Sequence, residues 1–287
     1  MVDWSALAEG LGSALGGTVE TTPSAAGPSG WRWRIGGQSI YVKLKPHSGA
    51  DELDAEAAGL AALAAGGIAV PAVRGCGVAG DHAWLALEWL PLVAASEAAE
   101  TALGIALARV HETTADSFGW HRASYLGGTR QDNAWVRAWP TYWRERRLVP
   151  MLDRLSSRAP RLCERGRRLL ERVEGLLAGH DPAPSLLHGD LWGGNWGVVS
   201  GERPVVFDPA VYFGDRETDL AMTRLFGGFG PAFYRAYHRQ WANPPGAKVR
   251  GQLYNLYHLL NHCLLFGGSY GAQAESCIAS LMAESEG

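Results

Sequence analysis

The segment from Leu187 to Asp219 contains the side chains best suited to chemistry. Asp190 and Asn195 stand together in a glycine-rich stretch, and Asp208 follows the apolar run 205–207. Phosphoryl transfer requires a carboxylate facing the attacking hydroxyl, and oxygen ligands that hold magnesium against the nucleotide phosphates. Positioned oxygens and a metal ion do most of this work, so such a site leaves a compact pattern of Asp and Asn. The pattern therefore predicts phosphoryl transfer, with Asp190 facing the acceptor and Asn195 and Asp208 holding magnesium.

The spacing between Asn195 and Asp208 adds weight to motifs that are weak on their own. Gly and Asp are common turn residues, and Asp-Pro often ends a strand. Here an apolar stretch runs to Val199, a turn is expected at Gly201-Glu202, and a second apolar stretch follows. This order predicts a hairpin, which would fold Asp208 back toward Asn195.

The elements that must position this site begin with a small amino-terminal lobe. A helix is expected over residues 3–16, and strands are expected over 18–22, 31–35 and 39–44. The loop 25–30 contains two glycines, and we expect it to lie over nucleotide phosphates. Pro28 removes one amide donor from that loop, which makes its affinity for the nucleotide harder to predict.

Lys43 stands near the end of the third expected strand. The helix expected over residues 51–65 has an acidic start, many Ala and Leu residues, and a Gly-Gly stop. Glu56 lies in its first half. In kinase-like lobes a helix Glu holds the strand Lys at the phosphates. A lysine on an edge strand or an exposed glutamate would be ordinary, but the downstream motif leads us to predict a Lys43–Glu56 pair.

Two more strands, 70–78 and 83–90, are expected before the pattern becomes helical. Glu88, Trp89 and Leu90 leave the second of them ahead of a proline, which suits a hinge whose backbone groups read the edge of an adenine. We therefore predict an α+β, protein-kinase-like fold with two lobes. Residues 1–90 form the nucleotide-binding lobe, a small antiparallel sheet with one helix. Residues 91–287 form a larger, mainly helical lobe that carries the catalytic loops, the metal-binding loops and the acceptor site.

Composition excludes several other classes of protein. With 47% apolar and 19% charged residues the chain is expected to be globular, and a net charge of −3 gives no reason to expect a nucleic-acid surface. No apolar run approaches the ~20 residues that span a bilayer. The amino terminus lacks the features of a signal peptide. We expect a cytoplasmic monomer with no membrane contact.

Several further segments carry a family likeness. They are Trp143–Leu148, Leu187–Asn195, Phe207–Glu217, Thr218–Met222, Leu225–Phe229 and Leu256–His262. On these segments the chain resembles the fructosamine kinase (ketosamine-3-kinase) family, relatives of the aminoglycoside phosphotransferases. Aminoglycoside kinases share His-Gly-Asp and Asp-Leu-Ala, whereas Phe-Gly-Gly-Phe points to the fructosamine branch.

The resemblance implies ATP and Mg²⁺ as cofactors and a phosphate transfer to the 3-hydroxyl of a ketosamine, a sugar joined to an amine by glycation. The phosphorylated adduct is unstable in this family, so the role would be deglycation of glycated amines or glycated lysine. Ribulosamines, erythrulosamines and fructosamines all remain possible acceptors. The resemblance implies that Asp190 is the base for the acceptor hydroxyl or orients that hydroxyl. It also implies that Asn195 and Asp208 are magnesium ligands and that Lys43 and Glu56 form the clamp on the nucleotide phosphates.

Three residues near the proposed base are candidates for acceptor binding. Trp192 could be a flat platform for the sugar or its amine, or it could brace the loop. Asp215 and Glu217 could attract a protonated amine, or they could hold their own loop through salt bridges. By the same resemblance Asp219 is expected to accept backbone amides of the catalytic loop, and His188 is expected to brace that loop.

Two alternatives remain open at this point. One is a kinase for an aminoglycoside or another amino sugar. The other is a catalytically silent nucleotide-binding module. The joint presence of Lys43, Glu56, Asp190, Asn195 and Asp208 counts against the silent module.

Overall fold

The computed structural model describes residues 2–20, 22–27, 30–242 and 244–285. Within these ranges no helix is both long enough and apolar enough to cross a bilayer. The elements in chain order are α1 (Trp4–Leu15), β1 (Ser24–Ala25), β2 (Gly30–Ile35), β3 (Gln38–Pro46), α2 (Ala50–Ala65), β4 (Val73–Ala79), β5 (His82–Glu88), α3 (Glu97–Val110), β6 (Ser124–Leu126), β7 (Thr129–Gln131), α4 (Trp139–Tyr142), α5 (Val149–Leu155), α6 (Pro160–Leu170), α7 (Val173–Leu176), β8 (Ser185–Leu187), β9 (Trp196–Val199), β10 (Arg203–Val206), β11 (Tyr212–Gly214), α8 (Glu217–Leu225), α9 (Pro231–Gln240), α10 (Ala247–Phe266) and α11 (Tyr270–Glu284). A 3-10 turn, His47–Gly49, precedes α2, and the π-helical segment Trp143–Leu148 joins α4 to α5.

The amino-terminal sheet has the order β1-β2-β3-β5-β4, and its neighbouring strands are antiparallel. Alternation along β3 sends Val42 into the core shared with α1, while Tyr41 packs into the core shared with α2. Lys43 therefore lies on the α2 side. It pairs across the sheet with Gly30 and Leu85, so it stands on a central strand and not on an edge.

The expected strand 18–22 is reduced to a single bridge. Val19 pairs antiparallel with Ile35 at the end of β2, where Gly36 N donates to Thr18 O (3.0 Å) and Glu20 N donates to Arg34 O (3.1 Å). Thr21 lies outside the described residues, and the pairing with β2 resumes at the short strand β1. The other expected strands of this lobe are present, with ends displaced by a few residues. The expected phosphate loop includes Pro28 and Ser29, which lie outside the described residues.

The larger part of the chain is mainly helical and has two cores. One core packs α5, α6, α10 and α11 around Trp143, Leu152 and Leu260. The other packs α3 and α9 against β9 and β10 around Leu103, Phe233 and Val206. Such layered packing of amphipathic helices buries enough apolar surface to fix the loops between them. The α+β, protein-kinase-like two-lobe fold expected from the sequence is confirmed.

The hairpin predicted between Asn195 and Asp208 is also present. Strands β9 and β10 pair antiparallel, with Val199 opposite Arg203. The turn between them uses positive φ at Gly201 (79°) and Glu202 (58°), as tight hairpin connections require. The hairpin returns the chain so that Phe207 N donates to Asn195 O at 3.0 Å. Asp208 is thereby carried back beside the loop that contains Asp190 and Asn195.

Candidate active site

Lys43 projects from β3 into the space between the sheet and α2. Its Nζ lies 2.7 Å from Glu56 Oε1 and also contacts Asp208 Oδ1, so the predicted Lys43–Glu56 pair forms. The lysine side chain is only 10% exposed. Burial alone would lower the pKa of Lys43, but the carboxylates of Glu56 and Asp208 outweigh burial and raise it. Lys43 is therefore a cation fixed between two elements that are distant in sequence.

Helix α2 carries Glu56 and lies directly against the segment after Asp208. A Cβ at Gly59 would approach both Pro209 Cγ and Val211 Cγ2 to 3.1 Å, so glycine permits the close contact. Burial raises the pKa of Glu56, and the nearby Lys43 ammonium opposes that rise. The position of Glu56 is thus tied to the position of the Asp208 loop.

The loop that carries Asp190 follows β8 and is held by a buried carboxylate. Asp219 accepts hydrogen bonds from His188 N (2.8 Å) and Gly189 N (2.9 Å), as the sequence analysis expected. Gly189 has φ of 81°, and a Cβ there would lie 2.2 Å from the carbonyl oxygen of Ala210. Only glycine fits this position, and the tight loop places Asp190 next to Asn195.

His188 braces the same loop from within. Its Nε2 lies 3.1 Å from Phe207 O, and its Nδ1 accepts from Asp190 N at 3.3 Å. Burial lowers the pKa of His188, although the charge of Asp219 opposes the change. The imidazole is therefore neutral, and it holds the backbone of Asp190 against that of Phe207.

A second histidine, His111 at the end of α3, supports Asp219 from behind. Its Nε2 lies 3.2 Å from Asp219 Oδ2, and its Nδ1 lies 2.7 Å from Tyr237 OH. Burial would raise the pKa of Asp219, but the interaction with His111 and the hydrogen bond from the Gly189 amide outweigh burial and lower it. Sequence reasoning missed His111, because nothing in the sequence ties a helix-end histidine to a carboxylate so far along the chain.

Asn195 joins the two acidic residues of the site. Its Nδ2 donates to Asp190 O at 2.8 Å and to Asp190 Oδ2 at 3.1 Å.

Asp208 has φ of 57°, which is rare outside glycine and typical of strained functional positions. Burial, and then the charge of Asp208, raise the pKa of Asp190 well above its usual value, against the hydrogen bond from Asn195.

The predicted residues meet in one cleft. Lys43, Glu56, Asp190, Trp192, Asn195 and Asp208 all line a space of about 290 Å³. The carboxylate of Asp208 and the amide oxygen of Asn195 are the oxygen ligands that Mg²⁺ prefers, so this donor set fits that ion.

Among the other residues that line the cleft, three with polar side chains were not predicted from the sequence as site residues. Lys45, Glu52 and Tyr125 also line the space. Lys45 follows Lys43 by two positions on a strand, and Glu52 precedes Glu56 by one helical turn. This periodicity places each on the same face as its neighbour and could have identified both residues. Tyr125 has no comparable signal, because β6 reaches the cleft only through the packing of the two lobes.

Trp192 lies at the mouth of the cleft beside Asp190. Its ring rests over Gly194, where a Cβ would come within 2.3 Å of it. The ring also meets Phe226 edge to face, with the centroids 6.3 Å apart. The residue nevertheless keeps 39% of its surface exposed. Trp192 is therefore held in place by its contacts with Gly194 and Phe226, and part of its ring remains exposed to solvent.

Asp215 and Glu217 are not brought to this cleft. Asp215 is 1% exposed and Glu217 is 3% exposed, and neither is among the described residues that line the cleft. Tyr254 OH donates to Asp215 Oδ2 at 2.6 Å, and Arg250 binds both oxygens of Glu217 at 2.8 and 2.9 Å. His180 Nε2 also lies 2.7 Å from Asp215. The geometry gives no support to a substrate role and favours the alternative in which both residues hold their own loop.

Glu88, Trp89 and Leu90 lie where the chain leaves β5. The Arg32 guanidinium stands 4.7 Å from the centre of the Trp89 ring. A little further on, Val93 N donates to Val198 O on β9 (2.8 Å), so the connection is tied to the hairpin that precedes Asp208. The adenine-binding role of these three residues stays a prediction from their position.

Comparison with known proteins decides the family. The family model described as fructosamine kinase matches residues 13–284, almost the whole chain. The chain belongs to the fructosamine kinase family. The protein named probable ketoamine kinase from Synechocystis sp. is 40% identical over 85% of this chain and 83% of its own length. The one of the same name from Escherichia coli O157:H7 is 32% identical over 98% of this chain and 99% of its own.

Solved structures agree with this assignment to the fructosamine kinase family. A crystal structure named for a fructosamine-3-kinase of Haemophilus somnus 129PT superposes with a TM-score of 0.86 at 28% identity, and 97% of each chain is covered. One so named from Thermobifida fusca gives a TM-score of 0.84 at 30% identity and covers 96% of this chain and 98% of its own. An aminoglycoside phosphotransferase in complex with ADP and hygromycin B superposes with a TM-score of 0.67 at 15% identity. The superposition covers 98% of this chain and 99% of the other, and it shows a likeness of fold alone. Membership in the fructosamine kinase family makes the protein a phosphotransferase of sugar-derived amines.

Proposed function

We propose that this protein is an ATP- and Mg²⁺-dependent kinase that phosphorylates the 3-hydroxyl of ketosamines. The observation that carries the proposal is the position of Lys43, which is bound by Glu56 and Asp208 in the same cleft as Asp190. This arrangement gathers a phosphate-binding cation, oxygen ligands for a metal and a carboxylate for the acceptor in one small space. It also supplies what phosphoryl transfer needs, namely positioned charge rather than covalent chemistry.

Each of the predicted cleft residues has a distinct task in this proposal. Glu56 orients Lys43 toward the nucleotide phosphates, and the raised pKa of Lys43 keeps its charge fixed. Asp208 and Asn195 would hold Mg²⁺, which when bound supplies charge neutralisation for the transferred phosphoryl group. Asp190 orients the acceptor hydroxyl and takes up its proton, a task that suits a carboxyl group with a raised pKa. Asn195 donates to that carboxylate and to the backbone carbonyl of Asp208, which holds the two acidic residues close together.

The nucleotide base is proposed to lie along the hinge. Glu88, Trp89 and Leu90 leave β5 just before the chain is tied to β9, so their backbone groups stand between the two lobes. Backbone groups in such a position can read an adenine edge with little demand on side-chain identity.

The acceptor is proposed to stack on Trp192. Its open face adjoins Asp190 in the cleft, and an aromatic face binds the apolar side of a sugar ring or an amine's carbon skeleton. Phosphorylation would destabilise the adduct and release the amine, so the biological role would be deglycation. Fructosamines and ribulosamines, free or on lysine side chains of proteins, are the proposed acceptor class.

The experiment is a coupled assay of ADP release with ATP, Mg²⁺ and a panel of acceptors. The panel contains fructosyl-lysine, ribulosyl-lysine, free fructose, free ribulose and kanamycin. The proposal expects turnover on the ketosamines and little on the free sugars, with Asp190→Ala inactive although it still binds ATP. Activity on kanamycin alone would favour an aminoglycoside kinase, and nucleotide binding without turnover on any acceptor would favour a silent module.

A further inference from the structure

A second lysine–glutamate pair lies in the same cleft, in addition to the Lys43–Glu56 pair. Lys45 Nζ stands 2.9 Å from Glu52 Oε1, and the two side chains are 35% and 22% exposed. Both residues line the cleft with Asp190 and Trp192. The pair is thus open enough to be reached by a bound molecule and enclosed enough to discriminate between molecules.

The position of this pair follows from two periodicities. Lys45 lies two residues beyond Lys43 on β3, and Glu52 lies one turn before Glu56 on α2, so the second ion pair repeats the first about 6 Å further along both elements. A Cβ at Gly49 would come within 2.8 Å of Lys45 Cβ, so the turn before α2 confines the stem of the lysine.

The second pair lines the same cleft as Tyr125 and Trp192. The first half of α2 lies against the segment that enters β6, where Arg122 donates to Asp54 O at 3.1 Å. That strand contributes Tyr125 to the cleft wall. The Lys45–Glu52 pair therefore borders the part of the cleft that Tyr125 and Trp192 share.

We propose that Lys45 and Glu52 recognise the amino-acid portion of the acceptor, so that the favoured substrates are ketosamines formed on the α-amino group of a free amino acid. This proposal rests on the proposed function. Such an adduct carries a secondary ammonium with a carboxylate two bonds away. Glu52 binds the ammonium and Lys45 binds the carboxylate, and two opposite charges side by side match the ion pair.

The amine of a ketosamine lies close to the hydroxyl that reacts. The amine of a ketosamine is bonded to C1 of the sugar, and the reacting hydroxyl is on C3, so the ammonium must lie in the same cleft as that hydroxyl. In an adduct on the ε-amine of lysine, by contrast, the nearest carboxylate or amide is a full side chain away. The Lys45–Glu52 pair thus distinguishes an adduct on an α-amino group from an adduct on the ε-amine of lysine by the distance between the ammonium and the carboxylate.

The test compares two acceptors that differ in the carboxylate alone, fructosyl-glycine and fructosyl-ethylamine. The wild-type kcat/KM should be at least about tenfold higher for fructosyl-glycine, the minimum expected for one charge-assisted contact. Lys45→Met should remove this preference by raising the KM for fructosyl-glycine alone, and Lys45→Arg should retain it. Glu52→Gln should lower kcat/KM for both adducts. Arg34→Met, in the exposed Arg34–Glu20 pair, is the matched control and should change none of these constants.

Three results would overturn the proposal. They are equal wild-type constants for the two adducts, an equal loss on both adducts in Lys45→Met, and a raised KM for ATP in that variant, which would make Lys45 a phosphate ligand. Each of them leaves ketosamine phosphorylation standing, because the wild-type enzyme is active in all three. If the wild-type enzyme phosphorylates neither adduct, nor the lysine adducts of the first panel, the proposed function itself fails and this inference fails with it.

Discussion

Replacing Asp219 by Asn should separate the architecture of the catalytic loop from its chemistry. Asp219 touches no proposed substrate position, yet its two oxygens accept the amides of His188 and Gly189 and a contact from His111. The Asn side chain has one oxygen in place of two, and its amino group must face a group that is itself a hydrogen-bond donor. One backbone amide beside Asp190 then loses its partner in a buried place.

The size of the effect follows from these contacts. An orphaned buried donor costs about 1–3 kcal/mol. An unfolding entropy of about 2.1 cal/mol/K per residue, for 287 residues, gives about 0.6 kcal/mol/K, so Tm should fall by about 2–5 °C. A loop displaced by about 1 Å costs up to about a hundredfold in rate. We therefore expect kcat to fall by about 10- to 100-fold, with the KM for ATP nearly unchanged because Lys43 and Glu56 are untouched.

The assay is thermal unfolding together with steady-state kinetics on a ketosamine, and Asp215→Asn is the matched control. Asp215 is equally buried and accepts from Tyr254 OH and Glu217 N, but it does not contact the catalytic loop. The control should lose a comparable amount of stability and keep kcat and both KM values within about twofold. If Asp219→Asn shows the calculated loss of Tm with kcat unchanged, the positioning argument is refuted. A raised acceptor KM in Asp215→Asn would revive its predicted substrate role.

Three further changes test other parts of the structure. Asp208→Asn should weaken both turnover and the Mg²⁺ dependence of nucleotide affinity, measured by titrating Mg²⁺ in a binding assay; an unchanged dependence would place the metal elsewhere. Gly189→Ala should lower kcat at least about tenfold, because its Cβ would meet Ala210 O, whereas Gly179→Ala has a similar positive φ in open space and should cost only about 1–3 kcal/mol of stability. Burial lowers the pKa of His258 to about 3 from 6.5, so this residue binds a proton more readily when unfolded. Stability should therefore fall as the pH drops below about 6.5, by about 2 kcal/mol at pH 5 relative to pH 8. Urea unfolding of His258→Gln should show a flatter pH profile, and an identical profile would contradict the assignment.

The sequence was most informative where chemistry restricts both residue type and spacing. Asp190, Asn195 and Asp208 could be predicted to converge, because a short hairpin leaves the chain few ways to return. Lys43 and Glu56 could be paired because a strand lysine and a helix glutamate recur together in kinase-like lobes. All of these residues do meet in one cleft.

Other features depend on packing that no local pattern encodes. In the expected strand 18–22 the structure assigns only the bridge of Val19 to Ile35, and the ladder with β2 is formed by β1 further along the chain. Where a β-prone stretch forms a ladder depends on the partner strand, which the local sequence does not specify. Asp215 and Glu217 have the composition of a binding loop, but their direction is set by Tyr254 and Arg250, which lie in a distant helix. His111 was missed for the same reason, since its partner Asp219 is brought to it only by the fold.

The close contact of Gly59 with Pro209 has a consequence for the order and strength of ligand binding. Helix α2 carries Glu56 at the proposed nucleotide end of the cleft and Glu52 at the proposed acceptor end, and Gly59 lies against the segment that follows Asp208. A ligand at either end that shifts α2 must therefore change the free energy of binding at the other end. Thermodynamic linkage makes this coupling reciprocal: if the acceptor tightens ATP by some factor, ATP tightens the acceptor by the same factor. Gly59→Ala, which wedges the helix away from the loop, would alter that shared factor even though residue 59 touches neither ligand.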